Sequence, residues 1–156
     1  MTERLNANAI SPEGRKILVS LQTYVERSGL EKRLLEIVKV RASQINGCAF
    51  CLVTHTRDAV SAGDTHERLQ LLHAWRETDI FSERERAALA WTEALTEVSR
   101  GRVPDSVFAE ASRCFTEREL VDLTYAVIAI NAWNRLAIAF ARCLRSNWAV
   151  SGKLPA

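Results

Sequence analysis

The segment GCAFCLVTH, at positions 47 to 55, places two cysteines and a histidine close together. If it is helical at about 100° per residue, Cys51 lies about 60° and His55 about 20° from Cys48, so the three share a narrow arc. A turn at Gly47 would open the helix just before the cysteines, and a helix N-terminus favours the thiolate form. Either cysteine can be the more acidic on this basis, and thiol chemistry is indicated.

A carboxylate on the preceding helix can complete this arrangement. Glu36 lies twelve residues before Cys48, and the apolar neighbours Leu35 and Val40 allow its side chain to point inward. There it can hydrogen-bond His55 and relay a proton between thiol and solvent. A solvated glutamate is the simpler alternative, because most glutamates on helices face water.

A structural zinc site is a second interpretation of the same residues. Cys48, Cys51 and His55 can supply three ligands, but a closed tetrahedral site needs a fourth. Neither Cys114 nor Cys143 has a companion at metal-binding spacing. We expect these two cysteines to be small apolar core residues.

Composition predicts one soluble globular domain over residues 1–156, with a core of about 12–146. Apolar residues make up 47% and charged residues 26% of the 156 positions, a length that can bury a substantial core. The 21 basic and 19 acidic side chains are interspersed. No block of one sign marks a phosphate-binding surface, so nucleic acid is not an expected partner.

The chain shows no sign of secretion or membrane insertion. The start MTERLNANAI lacks an apolar signal region, and polar residues such as Asp122 and Arg135 interrupt the apolar run from 120 to 140. We therefore place the protein in the cytoplasm. A C-x-x-C pair in that reducing compartment is more often catalytic or metal-binding than a structural disulfide.

Helical periodicity dominates the sequence, and no stretch alternates like a strand. Three helix starts are predicted from a capping side chain with a glutamate three residues later, at Asp64, Ser82 and Thr116. A last helix, roughly 117 to 145, is apolar around much of its circumference and needs neighbours on several sides. It is either the central helix or part of a subunit interface, with Trp133 and Trp148 as candidate interface residues; the fold class is all-α.

The pattern Glu36-x11-Cys48-x2-Cys51-x3-His55 resembles the active-site signature of the alkylhydroperoxidase D-like proteins in the carboxymuconolactone decarboxylase family. The resemblance is strongest over about residues 30 to 65, which include INGCAFC and HTRDAVSAG. It implies a compact all-α fold, assembly into homotrimers or homohexamers, and a peroxidase that serves antioxidant defence.

The resemblance also implies roles for the four residues. Cys51 would attack the peroxide and become a sulfenic acid, and Cys48 would resolve it to a disulfide. His55 and Glu36 would relay the proton. No bound cofactor or metal is implied; an external dithiol, in the best-understood members a lipoyl group on a partner protein, would reduce the disulfide. Phe50 departs from members that carry a second histidine between the cysteines, which could weaken the activity or tune it to an apolar peroxide.

Two other functions use the same sequence features. A general disulfide reductase or a redox-sensing interaction protein would need the same dithiol. Decarboxylation of a muconolactone, the reaction that names the family, does not depend on a C-x-x-C pair, so the pair favours thiol chemistry. The physiological peroxide and reductant are not indicated by the sequence.

Overall fold

The computed structural model describes residues 2–142, and every regular element in this part of the chain is helical. The predicted all-α class is confirmed. Two 3₁₀ helices, Leu71–Glu77 and Val98–Arg100, accompany the α-helices. None of the helices described is long and apolar enough to cross a membrane. The α-helices are α1 (Ala7–Ile10), α2 (Pro12–Glu26), α3 (Lys32–Asn46), α4 (Ala49–Ser61), α5 (His66–Gln70), α6 (Glu83–Thr96), α7 (Asp105–Cys114) and α8 (Glu117–Ala139).

Two of the three predicted helix caps are confirmed. Ser82 before α6 and Thr116 before α8 each form a capping box with the glutamate three residues later, which satisfies backbone N–H groups that the helix leaves unpaired. The prediction of a cap at Asp64 is wrong by one residue. Thr65 accepts the backbone N–H of Arg68, because the Asp64 carboxylate accepts from the Arg68 guanidinium at 2.8 Å.

The last helix ends earlier than the sequence predicts. The prediction extends to about residue 145, whereas α8 stops at Ala139. Ala141 has a φ of 51°, and the N–H of Arg142 bonds the carbonyl of Ala137 at 2.8 Å. A left-handed residue with such a backbone bond terminates a helix. Positions beyond 142 lie outside the described residues.

Helix α3 lies at the centre of the fold, in contact with α4, α6 and α8. Every residue from Leu34 to Val40 is buried, so the middle of this helix has no face in water. Full burial of an apolar side chain such as Ile37 contributes about 1.5–3 kcal/mol. The same surroundings oblige the charged side chains of Glu36 and Lys39 to find partners inside the protein.

Several large apolar side chains stay exposed on α2, α7 and α8. The rings of Tyr24 and Tyr125 make an edge contact with centroids 5.8 Å apart, which joins α2 to α8. Apolar surface of this kind suits a contact with another protein. The predicted homo-oligomer remains a prediction. The exposed side chains are Tyr24, Phe108, Val121, Tyr125 and Ile128.

The turn between α3 and α4 depends on Gly47. Its φ of 70° and ψ of 32° are left-handed, and its N–H bonds the carbonyls of Ser43 and Gln44. This conformation costs an L-residue about 1–2 kcal/mol but costs glycine little. The next residue, Cys48, caps α4. Gly47 therefore sets the direction in which the cysteine-bearing turn of α4 leaves α3.

We predict that Gly47→Ala lowers the free energy of unfolding by about 1 kcal/mol, measured by urea denaturation. A Cβ at Gly47 would meet no atom within 4 Å, so the loss comes from backbone strain alone. The matched control is Gly101→Ala, because Gly101 also has open space and its φ of 178° suits any residue. Equal effects of the two substitutions would contradict the prediction.

Candidate active site

The first turn of α4 carries both cysteines of the C-x-x-C motif. Cys48 is the N-cap, and its Sγ accepts the backbone N–H of Cys51 at 3.3 Å. The two residues are joined by a disulfide, with their Cα atoms 5.4 Å apart. They pack in a small apolar cluster between the end of α3, α4 and α8, with Ala42, Ile130 and Ala137. The structure therefore holds the oxidised form of a buried dithiol.

Glu36 and His55 meet across the contact between α3 and α4, as their spacing predicts. Glu36 is buried, with 4% of its surface exposed. Its Oε2 lies 3.0 Å from Nδ1 of His55. An ionised carboxylate only accepts hydrogen bonds, so Nδ1 of His55 donates and Nε2 is left as the proton-accepting nitrogen.

A lysine that the sequence did not single out completes the cluster. Lys39 is buried, and its Nζ donates to Oε1 of Glu36 at 2.8 Å. Burial raises the pKa of the Glu36 carboxyl, but the hydrogen bond from His55 and the positive charge of Lys39 outweigh it, so this pKa lies below its usual value. Glu36 is therefore a carboxylate bridging two nitrogen donors.

Lys39 was missed because lysines on helices are usually solvated. A signal was present in the sequence: Lys39 lies three residues after Glu36, a spacing at which opposite charges pair on one helix face. The apolar residues on either side of both positions indicate that this face is buried. Read together, these two features predict a buried ion pair.

A cavity of about 490 Å³ opens beside the dithiol. Both cysteines are buried, with 2% of Cys48 and 4% of Cys51 exposed, but the cavity wall includes Cys51 and His55 and does not include Cys48. Access from this side therefore reaches Cys51. Phe50 of α4 also lines it, and the remaining walls come from the N-terminal segment, α2 and the end of α8, including Leu5, Arg15, Trp133, Leu136, Phe140 and Arg142.

An apolar groove of about 400 Å³ continues from this cavity. Leu5, Leu136 and Phe140 line both spaces, and Ile10 and Leu18 extend the groove. Most of its lining is apolar, although Asn8, Ser11 and Arg15 also contribute to it. The cavity beside Cys51 thus has a mixed polar and apolar wall, and the groove that continues from it is more apolar.

The N-terminal segment that covers the cavity is held to the end of α8. The backbone N–H of Arg4 bonds the carbonyl of Phe140 at 2.9 Å, and its guanidinium bonds the carbonyl of Ala139 at 3.1 Å. Just after α8, the guanidinium of Arg142 lies 4.0 Å from the centroid of the Phe50 ring. These contacts join segments distant in sequence into one wall.

A set of amide side chains fixes the cysteine turn against α8. Asn46 donates to Asn131 at 3.0 Å and to Asn134 at 2.9 Å. Asn134 is fully buried and donates to the Ser43 hydroxyl at 3.1 Å. Because Asn46 directly precedes Gly47, these bonds position the turn that presents the cysteines.

The role of Trp133 in a subunit interface stays a prediction, but the structure places this residue at the cavity. Trp133 lines the cavity beside Cys51 and His55. Its indole nitrogen is buried and has no hydrogen-bond partner among residues 2–142. Trp148 lies outside the described residues, as does Cys143. Cys114 is partly buried against the main core, as expected of an apolar residue.

The residues that lie close enough to bind a metal ion are not the zinc ligands considered from the sequence. Within residues 2–142, the carboxylates of Glu36 and Asp58 and a nitrogen of His55 come within 4.8 Å of one another. However, the Lys39 ammonium already contacts Glu36 and repels a cation. The zinc set of Cys48, Cys51 and His55 is disfavoured while the two thiols share a disulfide, because zinc binds thiolates.

Two relatives have similar sequences. The chain is 40% identical over 139 residues to the uncharacterised protein YdfG of Bacillus subtilis, covering 89% of this chain and 95% of YdfG. It is 30% identical over 100 residues to the uncharacterised protein YnjA of Escherichia coli, covering 64% of this chain and 54% of YnjA. Neither name assigns a reaction.

Solved structures and a family match agree with these relatives. A protein of unknown function from Agrobacterium tumefaciens, proposed to be the antioxidant defence protein AhpD, superposes with a TM-score of 0.89 at 38% identity, covering 92% of this chain and 99% of that one. A peroxidase-related protein from Silicibacter shares the fold at 22% identity, with a TM-score of 0.78 over 91% of this chain and 75% of its own. Residues 12–94, more than half of the chain, match the predicted family, and the protein therefore belongs to the carboxymuconolactone decarboxylase family.

Proposed function

We propose that this protein is a thiol-dependent hydroperoxidase that reduces organic hydroperoxides at Cys51. The observation that carries the proposal is the cavity whose wall holds both Cys51 and His55, while His55 is hydrogen-bonded to the buried Glu36. Cys48 does not line that cavity. Accessibility thus favours Cys51 as the attacking thiol and Cys48 as its resolving partner, a choice that the spacing of the cysteines leaves open.

The first step reduces the peroxide. In the reduced protein, Nε2 of His55 takes the Cys51 proton, and Glu36 stabilises the imidazolium through Nδ1. The thiolate attacks the outer peroxide oxygen, the O–O bond breaks, and Cys51 becomes a sulfenic acid. The leaving alkoxide takes the proton from His55 and departs as an alcohol.

The second and third steps return the protein to its starting state. The Cys48 thiol attacks the sulfenic acid of Cys51, forming the disulfide and releasing water. Their positions one helical turn apart suit this step, since their Cα atoms are 5.4 Å apart. An external dithiol, which we propose to be a lipoyl group on a partner protein, then reduces the disulfide and is itself oxidised to a disulfide.

Similarity to the Agrobacterium protein supports an antioxidant role, because that protein is proposed to be AhpD and the identity of 38% extends over 92% of this chain. The matched family is named for a decarboxylase. Lactone decarboxylation would make no use of the buried disulfide. A disulfide reductase or redox sensor would use it, and turnover of peroxide separates those functions from a peroxidase.

The proposal includes a homo-oligomer, a trimer or a hexamer, acting in the cytoplasm. Tyr24, Tyr125 and Ile128 belong to the exposed apolar surface on α2, α7 and α8, which offers area for a second copy. A reducing compartment supplies the dithiol that the cycle consumes.

We predict that Cys51→Ser lowers peroxide consumption with dihydrolipoamide by ~10²-fold or more, because Cys51 is the thiol that lines the cavity among residues 2–142. Cys48→Ser is expected to trap Cys51 as a sulfenic acid or mixed disulfide, detectable by mass spectrometry after one equivalent of peroxide. Cys114→Ser, the control, should keep full turnover, since Cys114 lies against the main core.

Full activity in both the Cys51→Ser and Cys48→Ser proteins would refute the mechanism. A Cys48–Cys51 disulfide that forms with peroxide but without turnover would instead identify a sensor. Chemical oxidation alone is not sufficient evidence, so the rate of peroxide loss is measured in the same samples.

The cavity and its apolar continuation predict a preference for organic hydroperoxides over hydrogen peroxide. Leu136 lines both spaces, so Leu136→Trp should lower turnover of cumene hydroperoxide roughly tenfold by filling the space that the organic group occupies. Turnover of hydrogen peroxide should stay within about twofold of the original rate. The matched control is Ile138→Trp on the same helix, where the side chain is 46% exposed. Equal losses with both peroxides would contradict a substrate pocket here.

A further inference from the structure

Lys39 is an unusual residue for the interior of a small protein. Only 6% of its surface is exposed, and no other lysine or arginine among residues 2–142 is buried. Its ammonium contacts the Glu36 carboxylate at 2.8 Å. A buried ion pair adds little net stability, because the cost of removing two charges from water offsets their attraction. Stability alone is therefore a weak explanation for Lys39.

The geometry of the cluster gives the ammonium a place in proton transfer. One oxygen of Glu36 accepts from Lys39, and the other accepts from Nδ1 of His55. A buried carboxylate needs a compensating positive charge. With Lys39 present the carboxylate is already neutralised; without it, the compensating charge would be a proton held on His55.

We infer that Lys39 is a positioning residue for thiol activation: its positive charge compensates the Glu36 carboxylate, so that His55 need not supply that charge and can accept the Cys51 proton. This role rests on the proposed thiol chemistry and extends it to a residue outside the Glu36, Cys48, Cys51 and His55 pattern. Lys39 acts through Glu36 and does not touch the substrate cavity of about 490 Å³.

Other charged groups near His55 are more exposed to solvent. Asp58 lies 3.8 Å from Nδ1 of His55, but its side chain is 52% exposed. The cavity wall also carries Glu3 from the N-terminal segment, Arg15 and Glu26 from α2, and Arg142 after α8. These charges have both signs and face a solvent-accessible space, where screening weakens them. The Lys39 charge is buried and is screened least.

The test measures how fast iodoacetamide alkylates Cys51 in the reduced protein as a function of pH, with the Cys51 peptide quantified by mass spectrometry. The variants are Lys39→Gln and Lys39→Met, which remove the charge, and Lys39→Arg, which keeps it. Lys32→Met is the matched control, because Lys32 lies on the same helix and is exposed.

The expected change has a definite sign. Removing a positive charge makes proton loss from the His55 and Cys51 pair harder, so the acidic limb of the rate profile moves to higher pH. We expect a displacement of about one pH unit in Lys39→Gln and Lys39→Met, the size expected of a buried charge several ångströms away. Lys39→Arg and Lys32→Met should retain the original profile.

Each remaining outcome overturns the inference. A folded Lys39→Gln or Lys39→Met protein with an unchanged profile would show that the charge has no role in activation. Unfolding of both neutral variants, with Lys39→Arg folded, would assign Lys39 to stability. Alkylation needs no peroxide, so a protein without peroxide turnover would refute the peroxidase and still leave the role of Lys39 measured.

Discussion

The carboxylate of Glu36 is the constraint on which the site depends. It is buried in the middle of α3, where a lone charge would cost several kcal/mol. Lys39 on the same helix and His55 on α4 compensate it through separate oxygens. The contact between α3 and α4 therefore combines apolar packing with the interaction between Glu36 and His55. Displacing α4 would disturb the packing and the hydrogen bond between Glu36 and His55 together.

The disulfide, in contrast, contributes little to the architecture. Cys48 and Cys51 lie within one turn of a single helix, and a disulfide that closes so short a loop removes little entropy from the unfolded chain. The turn is held instead by Gly47 and by the bonds from Asn46 to Asn131 and Asn134. Reduction can thus proceed without loss of the fold, as a redox cycle requires.

The features that the sequence predicted involve residues close together in the chain, whereas those it missed involve residues far apart. The capping boxes at Ser82 and Thr116 and the shared arc of Cys48, Cys51 and His55 follow from spacings of three or four residues along one helix. The contact between Glu36 and His55 could be predicted because α3 and α4 are joined by one short turn. These are local relationships; the two capping boxes and the contact between Glu36 and His55 are confirmed as geometry.

Features that depend on distant segments could not be read in this way. The sequence shows that Lys39 is charged, but the burial that pairs it with Glu36 comes from the helices around α3. The end of α8 was misplaced because apolar residues continue past Ala139, and the left-handed conformation of Ala141 has no signal such as glycine. Trp133 was considered for an interface, and only the folded chain places it beside Cys51.

The four motif residues and the cavity wall also differ in how much of each lies within the family match. The part of the chain that matches the family, residues 12–94, contains Glu36, both cysteines and His55. Much of the cavity wall comes from outside it, from the N-terminal segment held by Arg4 and from the end of α8. The family match thus includes the four motif residues but only part of the cavity wall. If the proposed function holds, segments outside the family match would determine which peroxide enters the cavity.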